Sequence, residues 1–193
     1  MGKLSLTGSQ TVGPFFSLGM LYEEAKRNVL TRPETVGERI RLEGRVIDGD
    51  GLPIPDAVVE IWQANAHGRY NHPTDQSAAP LDPAFTGFGR SGTDEQGMYW
   101  FETIKPGRVA FNDQLQQAPH ICVTIFARGL LNHLVTRLYF ADEQSNAEDM
   151  TLQCVPEERR ATLLARREEQ GEAVVYRFDI IVQGTNETAF FNL

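Results

Sequence analysis

The sequence predicts a mostly β chain: an antiparallel β-sandwich core with short helical appendages and long loops. Three observations carry this. Apolar and polar residues alternate over several short runs, Gly, Pro and Asp clusters separate those runs, and helical spacing is confined to two segments. The length of 193 residues points to a single domain over 1–193, about 1.3 times a usual domain. A chain of this size buries roughly 70% of its unfolded surface, enough for a core without covalent staples.

The first element is a short amphipathic helix over Leu18–Val29. Met20, Leu21, Ala25 and Val29 fall at near-helical spacing among charged residues, after a turn at Gly13-Pro14. From Ile40 the pattern becomes alternation. Ile40, Leu42, Gly44 and Val46 share one face and Arg41, Glu43 and Arg45 the other, which is a half-buried strand. Asp48-Gly49-Asp50-Gly51 makes a turn, and Pro53 and Pro55 keep the chain extended into a strand over Ala57–Trp62. A long Gly/Pro-rich connection from Ala64 to Gly97 holds His67, Tyr70 and His72. Connections that long inside a compact domain serve a function or an interface. Further strands are expected over Met98–Ile104, Ile121–Ala127, Leu134–Phe140 and Val174–Val182. A second helix should place Pro156 at its first position, run from Glu157 to Gln170 with Leu163 and Leu164 inward, and end at Gly171. Its charges read as a solvated face with i, i+4 pairs. Trp62 and Trp100, in strand-like runs, read as core.

Composition narrows the function classes. Apolar content of 41% with 23% charged residues excludes disorder and fibres. Eighteen basic against 26 acidic residues give −8, which argues against non-specific nucleic-acid binding and leaves room for a local basic pocket. Cys122 and Cys154 are too few for a disulfide scaffold or a Cys-rich zinc site. No run approaches the roughly 18 apolar residues of a membrane span. The first eight residues lack the apolar region of a secretory signal, and Leu6 fails the myristoylation pattern. A cytoplasmic protein is the expectation. Sandwiches host enzymes, binding modules and structural domains alike, so function has to come from a site.

The continuous run from Leu42 to Tyr70, Leu-Glu-Gly-Arg-Val-Ile-Asp-Gly-Asp-Gly-Leu-Pro through Glu60-Ile61-Trp62 to His67-Gly68-Arg69-Tyr70, resembles the signature of intradiol ring-cleavage dioxygenases. Phe88-Gly89-Arg90 with Thr93-Asp94, Thr103-Ile104-Lys105-Pro106-Gly107, Pro119-His120-Ile121, Thr136-Arg137-Leu138-Tyr139-Phe140 and Tyr176-Arg177-Phe178-Asp179-Ile180 follow in the family's order. The resemblance covers roughly residues 7–193. It implies a ferric site of two tyrosinates and two histidines, the latter spaced His-x-His on one strand. Hard ferric iron suits phenolate, and i, i+2 spacing puts both rings on one strand face.

Carried over one position at a time, the ligand set divides. Tyr70 stands at the first tyrosine and His120 at the first histidine. The second tyrosine position is Val109 and the second histidine position is Cys122, while an arginine expected shortly before the histidines falls near Gln117. This pattern resembles the alpha chain of the two-chain branch of the family, which opens protocatechuate to 3-carboxy-cis,cis-muconate with Fe(3+) held by the beta chain. The implied partners are a homologous beta chain, a small aromatic acid and O2, with no nucleic acid and no membrane. An N-terminal arm, about residues 1–37, would pack on that partner. Ser9-Gln10-Thr11-Val12-Gly13-Pro14-Phe15 and Phe126-Ala127-Arg128-Gly129 resemble alpha-type segments, so Thr11, Gly13, Pro14 and Arg128 are expected to wall the beta chain's substrate pocket. Phe15 stands where a tyrosine is common.

Each of these has a plainer reading. Arg128 alone reads as a surface or salt-bridged arginine, whereas a guanidinium fork also meets a carboxylate bidentately. Tyr70 and His120 read as partly buried polar remnants, Cys122 as a small core residue, and His67 and His72, paired in the long loop, as solvent or interface residues; His133 has no partner at convincing spacing. Two other functions stay in view. One is a structural or binding module without catalysis, the other an independent iron enzyme using Tyr70, His120 and Cys122.

Overall fold

The computed structural model describes residues 11–13, 15–23, 25–112, 114–170 and 173–192. A one-and-a-half-turn helix, α1 (Phe16–Met20), precedes the first long strand, β1 (Arg39–Ile47). The strands that follow are β2 (Val58–Gln63), β3 (Phe88–Gly92), β4 (Met98–Ile104), β5 (Val109–Ala110), β6 (Gln116–Gln117), β7 (His120–Phe126) and β8 (Leu134–Phe140). Short helices α2 (Met150–Gln153) and α3 (Glu157–Arg160) lead into β9 (Leu164–Gln170), β10 (Ala173–Arg177) and β11 (Ile180–Ile181).

The expected alternation appears in β1, where Ile40, Leu42, Gly44 and Val46 are buried. Strands align in the order β11-β1-β10-β9-β8-β7-β2-β3, with β4 on the other edge of β1, so the sheet curls nearly into a barrel. The mostly β, sandwich-like class holds. The pairing within it is mixed, because β10 and β11 run parallel to β1 and β9 runs parallel to β8. Leu42, Ile61, Phe101, Ile121, Leu138 and Tyr176 fill the interior, each at most 1% exposed. A smaller cluster of Tyr139, Leu152, Val155 and Leu163 lies between β8 and the short helices.

Four sequence expectations give way to tertiary pairing. The helix over Leu18–Val29 shrinks to α1, because the residues after it close the barrel. Arg27 exchanges backbone hydrogen bonds with Arg90 of β3 at 2.9 and 3.2 Å. Asn28 and Leu30 bond Glu102 of β4 at 2.8 and 2.9 Å, and the Asn28 amide reaches Ser91 and Trp100, both at 2.8 Å. The open edges of β3 and β4 would otherwise leave a row of unpaired amides. The helix over Glu157–Gln170 stops at Arg160, where Pro156 is the N-cap rather than the first helical residue. Leu164–Gln170 is a strand instead, hairpinned to β10 and aligned with Tyr139 and Phe140; Gly171 lies outside the described residues. Pairing on both sides outweighs a helical charge pattern whose intrinsic preference is weak.

The connection from Ala64 to Gly97 contains β3, which its glycines disguise. A Cβ at Gly89 would stand 2.8 Å from Ile61 and 2.9 Å from Leu30, so close packing, not flexibility, requires glycine there. The run Val174–Val182 is two strands. Phe178 and Asp179 bulge between them, Phe178 presses its carbonyl against Gly44, and the Tyr99 hydroxyl donates to that carbonyl at 2.5 Å. Trp62 and Trp100 are half-buried rather than core: Trp62 stacks on Tyr70, and Arg41 lies 4.6 Å over the Trp100 ring.

Candidate functional site

Two places hold the residues singled out above, and they lie at opposite ends of β7. The first gathers Tyr70, Val109, His120 and Cys122. Asn65 bends the chain toward it, its side-chain oxygen accepting from the amides of His67 and Arg69 at 2.9 and 3.1 Å. Gly68 adopts φ +79 within 1.8 Å (to an added Cβ) of the Arg108 carbonyl, so only glycine lets this loop clamp against the segment 107–109. Tyr70 is then pinned by its amide, which donates to Asp75 at 2.7 Å, and by Trp62, stacked at 5.7 Å and 19°.

The Tyr70 hydroxyl lies 3.3 Å from Nε2 of His120. That imidazole is 1% exposed, and its Nδ1 is 2.8 Å from the Ala118 carbonyl, so Nδ1–H donates there and Nε2 accepts from Tyr70. Burial, aided by the Arg137 charge, pulls His120 down to about 4, which keeps it neutral. Burial and the neighbouring Cys122 push the Tyr70 phenol well above its ordinary range, so it stays protonated. Burial likewise raises the Cys122 thiol.

Cross-strand register brings in residues that the sequence did not single out. Cys122 on β7 stands opposite Arg137 on β8, and His120 opposite Tyr139. Arg137 donates to Gln117 at 2.6 Å, and its charge acts on both Cys122 and Tyr139. Gln117 in turn stands opposite Val109 in the β5–β6 pair. Beneath them Asp149, fully buried, accepts from the Tyr139 hydroxyl at 3.1 Å and from the amides of Ala118 and Leu152, both at 2.8 Å. A cavity of about 340 Å³ opens beside this group, lined by Trp62, Tyr70, His72, Val109 and Gln117 among others. Cys122 is therefore not an apolar core residue. It is half-buried among a phenol and a guanidinium.

These donors do not suit ferric iron. One phenol and one imidazole are bonded to each other, Val109 offers no donor, and a guanidinium stands at the thiol. Among the described residues, no group of three or more His, Cys, Asp or Glu could hold a metal ion. His67 and His72 are exposed, as expected, with His72 turned to Thr74 at 2.7 Å, and His133 is exposed against the Phe126 ring.

The second place lies beyond the far end of β7, more than about 20 Å along the strand at 3.3 Å per residue. Arg128 is half exposed and pairs with Asp56, Nη2 to Oδ2 at 2.9 Å and Nε to Oδ1 at 3.4 Å. Asp56 takes φ +58 to present that carboxylate. The Gly129 amide donates to the Thr11 hydroxyl at 3.0 Å, which fastens the start of the arm to the Arg128 turn. Gly13 bonds Phe16 through its carbonyl at 3.1 Å and has open space at its α-carbon. Thr11 and Arg128 are thus brought together; Pro14, with Ser9 and Gln10, lies outside the described residues. Phe15 is 75% exposed beside them in sequence.

A family model described as Dioxygenase matches residues 12–184. The chain is 44% identical to the protocatechuate 3,4-dioxygenase alpha chain of Burkholderia cepacia, covering all of both chains. It is 41% identical to the beta chain of the same organism's protocatechuate 3,4-dioxygenase, over 89% of this chain and 75% of the relative. In fold it resembles 3-chlorocatechol 1,2-dioxygenase from Rhodococcus opacus, with a TM-score of 0.65, 21% identity, and coverage of 93% of this chain and 69% of that one.

Proposed function

The chain belongs to the intradiol dioxygenase family, and on that footing we propose that it is the non-iron-binding alpha subunit of a cytoplasmic protocatechuate 3,4-dioxygenase. Identity supports the two-chain enzyme and favours its alpha chain, 44% over the full length of both chains against 41% over 75% of the beta relative. The donor set carries the choice. With Val109 and Cys122 at two ligand positions and Tyr70 bonded to His120, the remaining phenol and imidazole are too few for a ferric tyrosinate site. In this reading a homologous beta chain holds Fe(3+), and O2 and protocatechuate meet at its site.

This chain's own contribution is then binding. Thr11, Gly13, Pro14 and Arg128 wall the partner's pocket, with Arg128 facing the substrate carboxylate. Asp56 engages Nε and Nη2 of that guanidinium, so the substrate would take the remaining Nη1 edge, a charge-assisted bond of the stronger kind. The single domain over 1–193 keeps an arm for the partner, narrowed to the residues before about 25, because 27–30 belong to the chain's own barrel. No helix among the described residues is long and apolar enough to cross a membrane.

The test is to purify the chain alone and co-expressed with a beta-type homologue, then record visible spectrum, iron content and oxygen uptake with protocatechuate. Colour, iron and turnover are expected only with the partner. A coloured, active protein from this chain alone would refute the subunit reading, and absence of any complex would favour a structural or binding module.

A further inference from the structure

We propose that Arg137 holds the place of a metal ion in this chain: its guanidinium, and not merely the two missing ligands, keeps cations out of the remnant pocket. The proposal rests on the subunit reading above and goes beyond it. Three donors still converge here. Tyr70 lies 3.3 Å from His120 and within electrostatic reach of Cys122, and His120 and Cys122 share one face of β7. A phenol, an imidazole and a thiol so placed would serve zinc or cobalt, which accept nitrogen and sulfur readily. Beside them stands Arg137, fixed opposite Cys122 by strand register and tethered to Gln117 at 2.6 Å.

The groups nearest that guanidinium, Gln117, Cys122 and Tyr139, are neutral. Asp149, the carboxylate of this network, is occupied by Tyr139 and two backbone amides. Arginine does not deprotonate, so its charge persists at every working pH. A second cation among the three donors would stand beside it in a partly desolvated site, where like charges repel far more strongly than in water. The positions a metal would take are otherwise occupied: Nε2 of His120 accepts from Tyr70, and the guanidinium stands at the thiol.

Cobalt(II) titration of the full chain tests this, read by the thiolate-to-cobalt absorption band. Wild type and Arg137→Lys, which keeps the charge, are expected to show no band. Arg137→Gln and Arg137→Met are expected to bind cobalt at least about a hundredfold more tightly, as removal of a close like charge predicts. Folded neutral variants that bind no cobalt would overturn the role of Arg137 and leave the subunit reading standing. Wild type or Arg137→Lys binding cobalt as tightly as the neutral variants would overturn it too. Should neither neutral variant fold, Val109→Tyr with Cys122→His restores four donors around an intact Arg137. That protein is expected to stay free of iron, and iron in it would end the proposal. Iron in the unaltered chain would overturn both readings.

Discussion

The two ends of β7 have taken opposite courses. At the His120 end, polar groups are buried or half-buried and each bonds another within the chain: Tyr70 to His120, Arg137 to Gln117, Tyr139 to Asp149. At the Arg128 end, the guanidinium is half exposed and its carboxylate partner is a surface residue. The first end is built for stability, since an unpaired buried group is costly. The second keeps donors in reach of something outside the chain, since an exposed ion pair contributes little to folding. Substitution should therefore split cleanly into stability effects at one end and substrate effects at the other.

The largest expected effect is at the base of the buried end. Asp149→Ala strands two amides and a hydroxyl, and should cost about 3 kcal/mol, or roughly 6–12 °C in Tm. Urea unfolding checks this, and the assembled enzyme's KM should stay put below the melting range. A shift in KM would break the division between the ends.

Acid should act on the same end. His120 is held near 4 in the folded chain against an ordinary 6.5, so the unfolded chain takes up its proton first as pH falls. The contribution of neutral His120 is fully present above about 6.5 and fades down to about 4, up to about 3 kcal/mol in all. Unfolding free energies at pH 7, 5.5 and 4.5 should fall more steeply for wild type than for His120→Asn. Equal slopes would mean that the imidazole is charged in the folded chain.

At the exposed end, Arg128→Ala should raise KM for protocatechuate about tenfold, about 1.4 kcal/mol, with iron content of the complex unchanged. A carboxylate-free catechol should be turned over as by wild type. Equal loss on both substrates would move Arg128 from the carboxylate to packing. The smallest effect belongs to Asp56→Asn, within about 1 kcal/mol of stability, as for other exposed pairs. It should lower KM slightly, because the guanidinium loses a competitor; a rise would show that Asp56 orients Arg128 for the substrate.

Much of this chain was legible from its order of residues. Alternation over Ile40–Val46 and the runs around Trp62, Phe101, Val123 and Leu138 gave strands within a residue or so of their bounds, because each side chain's face follows from its own parity. The residues at the family's ligand positions were legible too, since Val109 and Cys122 stand at fixed distances from motifs beside them. Arg137 was printed in the same motif as Tyr139, yet nothing local says that it faces Cys122. That depends on how β8 registers against β7, which residues far apart in sequence decide together. The same reason turned Leu164–Gln170 from helix to strand and drew Arg27–Leu30 into the gap between β3 and β4. Sequence alone determined which side chains stand at the positions where the family's ligands fall. Tertiary pairing decided what fills the space, because hydrogen-bond partners across strands are set by neighbours that no local pattern records.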